Sequence, residues 1–442
     1  MVPNLRVGAL VPQLPGMLAG RFTDDPVLLR HAFSVGYMAL PVLSLAACWL
    51  IVRRLAPALL LFPLLWLAVH QINFSAVSEL LTAAHLAWPF VLGAVLWPSA
   101  RLVRFYGWLL GAFFVVLHPM AFVPALGLSV LAAWLGWHAL RSAWARRAGA
   151  AGAGALGWAW LGLAAWLMIT GLLRLGWTIA SANRYERSNL TGDGTLHYLL
   201  PSTAAQEWLL AVAMLAALVF ALLLLRGGRG ALPRWLPRVL GVVLAALVGL
   251  AIWVGGEILF GHGIKLKAAL TFVAGLGFMA LAAMVGRVLL TRAGAPGGSA
   301  DGPTCASLPH HPVWVPAGWL AAPVAAVLIM LTAKSAGWWL ATNELGRLVA
   351  EADSPCIVRT AEQPPSLQWR WMRMLDEWPV GMNALAFRPR APASPEVSLL
   401  LPNAGCEILA ATGEVRLQSW IVRPWSHLEA RFGPLRRLPE WD

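Results

Sequence analysis

Residues Trp66 to Pro98 read WLAVHQINFSAVSELLTAAHLAWPFVLGAVLWP. Two apolar segments flank a short polar corner carrying His70, Gln71, Asn73, Ser75 and Glu79, with His85 further along the second segment. Ionisable groups in hydrocarbon cost several kcal/mol unless solvated or paired, so such residues mark either the membrane rim or a site. Whether the flanking runs are buried core or membrane spans therefore decides the fold.

Composition settles that question. Of 442 residues, 59% are hydrophobic and only 12% charged, about half the charged share of a soluble chain. A span needs about 20 mostly apolar residues. Ten stretches meet or approach this, at roughly 32–52, 55–73, 80–97, 102–118, 121–140, 155–175, 207–225, 236–257, 268–290 and 314–339. Interior Pro41, Pro63, Pro89 and Pro323 start or kink helices, which a bundle tolerates when neighbours re-satisfy the freed carbonyls. The fold class is a polytopic all-α membrane bundle of about ten transmembrane helices with a small C-terminal α+β extracytoplasmic domain. The divisions are 1–31, an outer N-terminal segment; 32–340, the bundle; and 341–442, the soluble domain. Residues 1–30 lack a basic region followed by an apolar run and a cleavage site, so the first span directs insertion.

Charge orients the bundle. Arg53, Arg54, Arg101, Arg104, Arg141, Arg146, Arg147, Arg226, Arg229, Arg234, Arg238, Arg287 and Arg292 fall in alternating loops that hold a single acid, Asp301. The positive-inside rule makes that side cytoplasmic and both termini extracytoplasmic, in a bacterial inner membrane. The formal charge of +13 invites a nucleic-acid reading. No basic aromatic groove accompanies it, and most Arg residues punctuate apolar runs, so no nucleic-acid partner is expected. The 25 Trp cluster near span ends as interfacial anchors. Residues 292–313, rich in Gly, Pro and Ser, form a cytoplasmic linker. Its Cys305, His310 and His311 lack a second ligand cluster, and no metal site is assigned.

From residue 341 the chain carries twelve acidic and eleven basic side chains, a balance proper to water. Helices are predicted over Glu344–Glu351 and Ser366–Trp378, and strands over Glu396–Leu401, Glu407–Ala411 and Val415–Val422. Cys356 and Cys406 are expected to form a disulfide, which an outer compartment permits and a small domain needs; the alternative is two buried thiols.

The polar residues near helix ends gather on the outer side. His70, Asn73, Glu79 and His85 are joined there by Arg184 and Arg187 of the 174–207 loop and by Lys265 and Lys267 of the eighth. Glu79 and His85 are the candidate general base and acid. His70, Asn73, Arg184, Arg187, Lys265 and Lys267 are the candidate substrate-binding set, the cations suited to phosphate or pyrophosphate. Each has a plainer role: Glu79 as a helix N-terminal acid behind Ser75 or Ser78, His70 as an interhelical hydrogen-bonding partner, His118 as a helix-end residue. Histidines in the second to fifth spans also raise a haem or quinone reading. His118 and His138 fall at opposite ends, which leaves His70 and His85 as the one pair of matching depth. No CxxCH or repeated spacing supports it, and the cofactor stays unassigned.

Three function classes follow. The first is an outer-face transferase acting on a lipid-linked sugar or phospholipid in envelope or exopolysaccharide assembly, its partner a membrane lipid. Multi-helix glycosyltransferases with polyprenyl-phosphate donors share this layout. Their acidic pair stands in the first outer loop, however, whereas Asp24 and Asp25 here precede the first span. The second is a non-catalytic subunit docking other envelope-assembly proteins. The third is a transporter or flippase, for which no internal repeat is evident.

Overall fold

A computed structural model describes residues 10–23, 25–70, 79–145, 151–181, 204–226, 235–260, 268–293, 317–352, 354–356, 385, 396, 398–401, 403–418 and 421–437. The described parts of the ten apolar stretches are largely helical. In chain order the helices are α1 (Leu10–Ala19), α2 (Pro26–Val52), α3 (Leu61–His70), α4 (Glu79–Leu96), α5 (Arg101–Leu117), α6 (Phe122–Ala145), α7 (Ala151–Ser181), α8 (Ala204–Arg226), α9 (Trp235–Leu259), α10 (Ala268–Ala293) and α11 (Ala317–Glu351). Short 3-10 turns at Pro57–Leu60 and Pro119–Ala121 lead into α3 and α6. Among the described residues seven helices, α2 and α6 to α11, are long and apolar enough to cross a membrane. That is the signature of an integral membrane protein, with fewer full-length spans than the ten apolar stretches suggest. The difference lies in α3, α4 and α5, which are shorter.

The chain divides into two compact units, 1–252 with 266–328, and 253–265 with 329–442. In the first unit α3 is enclosed: every residue from Leu61 to Val69 is buried, against α8 and α10. Helix α4 packs on α2, α5 and α10. The helices around them instead expose large apolar side chains, among them Val42, Leu43, Leu102, Ile179 and Val242, as a lipid-facing surface requires. Short helices are tolerated at membrane depth where protein surrounds them.

Proline chemistry is resolved locally. Pro89 has no N–H, so the carbonyl of His85 one turn earlier loses its helical donor. Ser44 on α2 replaces it, its Oγ donating to His85 O at 2.6 Å. At the α5–α6 junction Arg174 of α7 does similar work. Its guanidinium donates to Val115 O and His118 O, each at 3.0 Å, and Thr178 Oγ1 donates to Pro119 O. His118 Nδ1 accepts from Met120 N at 3.0 Å. His118 is thus a capping residue at a helix end, as expected for a histidine before proline, and Arg174 is a buried charge spent on freed carbonyls.

Helices α6 and α7 touch backbone to backbone. A Cβ on Gly157 would meet Gly136 O at 3.0 Å and the Leu140 side chain closer still, and one on Gly136 would meet Gly157 O at 2.9 Å. Small residues at such crossings let membrane helices approach. Substituting Gly157→Val forces the pair apart, with an expected loss of about 1–3 kcal/mol. A lowered unfolding midpoint of the purified protein in detergent checks this; an unchanged midpoint refutes it.

In the second unit one stripe of α11, Ala341, Leu345, Leu348 and Val349, joins Ala352, Leu399, Leu400, Leu401, Leu409, Val415, Trp425, Leu428 and Leu435 in a core. The predicted helix over Glu344–Glu351 is the end of α11 rather than a separate element. Residues 366–378 lie outside the described residues. The predicted strand Glu407–Ala411 is corrected: it is the helix α12 (Asn403–Thr412). Cys406 and Leu409 fall three apart on one face, and Gly413 with φ +68° ends the helix in a conformation suited to glycine. Val415–Val422 is likewise not one strand but an antiparallel hairpin, β1 (Glu414–Gln418) and β2 (Ile421–Pro424), followed by α13 (Trp425–Phe432). The predicted strand Glu396–Leu401 is corrected as well: among its described residues only Leu401 pairs, in an isolated parallel bridge with Cys356. Cys356 and Cys406 are bonded, with Cα atoms 5.7 Å apart, as anticipated.

Candidate functional site

His70 is the last residue of α3, and His85 lies six residues into α4. Their Nε2 atoms are 3.3 Å apart, and the two rings meet edge-on with centroids at 4.8 Å. One Nε2–H therefore donates to the other nitrogen, and the tautomer decides which. Trp66, one helical turn before His70, presses on both rings, at 5.2 Å from His70 and 4.8 Å from His85, and its ring centroid is 6.2 Å from that of Trp88.

The cluster is held from several sides. Trp66 Nε1 donates to Thr271 O of α10 at 3.0 Å. Gly275 makes that bond possible, because a Cβ there would sit 2.8 Å from the same indole nitrogen. Ser44 holds the backbone of His85 from α2, as described above. Side chains held this way are pre-set rather than mobile, and His85 is only 4% exposed.

A narrow crevice with room for little more than a water molecule adjoins His85. Among the described residues its wall consists of Pro41, Ser44, Leu45, Pro63, Trp66, Leu67, His85 and Trp88. No lysine, arginine, aspartate or glutamate is among these residues.

The depth of the pair follows from helix rise. Trp97 Nε1 donates to Ile51 O at 3.1 Å, so the ends of α2 and α4 next to Arg53, Arg54 and Arg101 are level. Ser44 lies about 12 Å along α2 from that end, and His85 about 17 Å along α4. Both distances approach half of a hydrocarbon core about 30 Å thick.

Of the residues singled out in the sequence, the structure brings His70 and His85 together. Glu79 opens α4, the place expected of a helix N-terminal acid. Asn73, Arg184, Arg187, Lys265 and Lys267 lie outside the described residues, as do Cys305, His310 and His311. A haem between the two imidazoles does not fit, since rings in hydrogen-bond contact leave no gap for a flat macrocycle. No group of three or more His, Cys, Asp or Glu able to hold a metal occurs among the described residues.

Sequence reading missed Trp66, Trp88 and Ser44. Two signals were available: Trp66 stands four residues before His70 on the same helical face, and Pro89 stands four after His85. The latter implies a carbonyl needing an outside donor, though not which helix supplies it.

No family model, curated protein or solved structure matches this chain.

Proposed function

We propose that this integral membrane protein is a transferase acting on a membrane-borne substrate, a lipid-linked sugar or phospholipid of envelope or exopolysaccharide assembly, with His85 as general base. One observation carries the reading: two imidazoles, His70 and His85, are in hydrogen-bond contact inside the helix bundle, and His85 lines a narrow apolar crevice. An imidazole that takes a proton at one nitrogen can release one from the other, and His70 is placed to receive it. The positive charge then ends on His70, at the end of α3, and leaves His85 neutral. A tightly packed surround fixes the ring orientation that such work needs. Glu79 is assigned as the second acid or base of the 70–85 corner. Asn73, Arg184, Arg187, Lys265 and Lys267 are assigned to the substrate's polar end, with the cations on its phosphate.

The Cys356–Cys406 disulfide supports an outer, oxidising location for the C-terminal region. It agrees with the orientation drawn from the arginine-rich loops, in which both termini lie outside the inner membrane.

The test is a comparison of lipid extracts. Cells lacking the protein should accumulate a lipid species that re-expression of the wild type removes and His85→Gln does not, at equal protein in the membrane. Loss of a general base lowers rates about 10²–10⁴-fold, enough for accumulation to persist. His70→Gln should give a smaller defect, since Gln still offers one hydrogen-bonding group to His85. Full correction of the profile by His85→Gln would sink the assignment.

A further inference from the structure

Where α2 and α4 end, the bundle becomes basic. Arg53 and Arg54 follow α2, and Arg101 and Arg104 stand three apart in the first turn of α5. Packing brings the two pairs to the same edge. Trp97 Nε1 donates to Ile51 O at 3.1 Å, and a Cβ on Gly93 of α4 would meet Val103 at 3.2 Å and Ile51 at 3.9 Å. Ile51 of α2 and Val103 of α5 thus touch one point of α4, each within three residues of its arginines. The turn between α4 and α5 is braced there. Arg104 donates to Pro98 O at 3.0 Å and to Ser99 O at 3.1 Å, and Trp160 donates to Pro98 O at 2.9 Å.

Arg53, Arg54 and Arg101 are exposed. Residues 26–60 and 80–117 contain no aspartate or glutamate, and among the described residues no ion pair holds any of the four arginines. Beside them stand exposed apolar side chains, Trp49 and Leu50 on α2 and Leu102 and Phe105 on α5. A cationic cluster bordering an apolar, lipid-facing surface suits a ligand with one anionic end and one hydrocarbon end.

We infer that the α2–α5 edge binds an anionic phospholipid, its phosphodiester held by Arg53, Arg54 and Arg101 and its chains lying along Leu50, Leu102 and Phe105. Guanidinium groups offer paired N–H donors that match phosphate oxygens, and each arginine near the bilayer surface strengthens the hold on an anionic lipid about five-fold. A zwitterionic lipid would set its own cation against the same arginines. A free anion would meet the charge but leave the apolar side chains uncovered. His85 lies about 17 Å along α4 from this end, so the lipid site is separate from the histidine pair and does not rest on the transferase reading.

The experiment titrates the delipidated full-length protein in neutral detergent at about 0.15 M salt, with bound lipid counted by native mass spectrometry. The probes are phosphatidylglycerol, phosphatidylcholine with the same chains, and glycerophosphoglycerol, the anionic headgroup without chains. Phosphatidylglycerol should bind at least about ten-fold more tightly than phosphatidylcholine. Arg101→Gln should weaken it about five-fold, and the triple variant R53Q/R54Q/R101Q should erase the preference. The single variant, at an exposed position, decides the matter if the triple variant fails to fold. R226Q/R238Q, which removes two exposed arginines of α8 and α9, should leave the preference intact, and glycerophosphoglycerol in about hundred-fold excess should not displace the lipid. Equal affinity for the two lipids, wild-type affinity in Arg101→Gln, or an equal loss in R226Q/R238Q would overturn the site. Displacement by the headgroup alone would overturn it too, showing that a soluble anion suffices.

Discussion

Replacing Trp66 with alanine is expected to destabilise the helical bundle by about 3–5 kcal/mol, the range for deleting a large buried aromatic. Several losses combine at this position. The indole is 1% exposed and packs against His70, His85 and Trp88. It also donates to Thr271 O, so its removal takes one hydrogen bond from that carbonyl and leaves space beside Gly275. Trp66→Phe keeps most of the volume and loses only the N–H, so about 1 kcal/mol is expected. Denaturant titration of the purified protein, followed by its remaining tryptophan fluorescence, separates the two. The alanine variant should lower the midpoint several times more than the phenylalanine variant. Equal midpoints would mean that the indole is not packed as described. Activity adds a second readout: the phenylalanine variant should still support the His85-dependent lipid profile, because both histidine rings keep an aromatic neighbour.

The second large effect concerns the disulfide. Cys356 and Cys406 close a loop of 50 residues, for which the chain-entropy relation gives about 4 kcal/mol of stabilisation. The loop ties the segment just beyond α11 to α12, and the core on which both pack is a small one. Cys406→Ser should therefore make the region after residue 341 cleave much faster under limited proteolysis of membranes. A thiol reagent should label Cys356 and Cys406 only after reduction. Cys48, buried in α2, should stay unlabelled until the bundle is unfolded. Proteolysis at the wild-type rate in Cys406→Ser would show that the bond contributes little to holding this unit.

The class of the protein was legible in its residues because a membrane imposes a length and a polarity that few other environments demand. Apolar runs separated by arginine-rich loops leave little choice, and the described parts of those runs are largely helical. Their lengths were not legible. A window of apolar residues does not reveal that α3 ends at His70, nor that α3 and α4 are enclosed by α2, α8 and α10 rather than by lipid. The C-terminal region misled for a related reason. The run EILAA in Glu407–Ala411 suits a strand or a helix by composition; the packing of Leu409 into the core and the turn at Gly413 select the helix.

The site was half legible. His85 stands out because nothing local explains an imidazole in that segment, and an interhelical hydrogen bond is the plainer of two roles open to His70, the other being substrate binding. That they bond to each other depends on how α3 and α4 fold back, which no spacing encodes. The same holds for Ser44, forty-one residues from the carbonyl it serves, and for Thr271, 205 residues from Trp66.

The sequence by itself determined a multi-helix membrane protein, because hydrophobicity and charge are summed locally and the bilayer reads them locally. It also determined which cysteines could pair, through the balance of charge around them. Tertiary structure alone decided which polar groups meet. A buried imidazole, hydroxyl or indole must find its partner across helices, and the partner is set by packing among segments far apart in the chain.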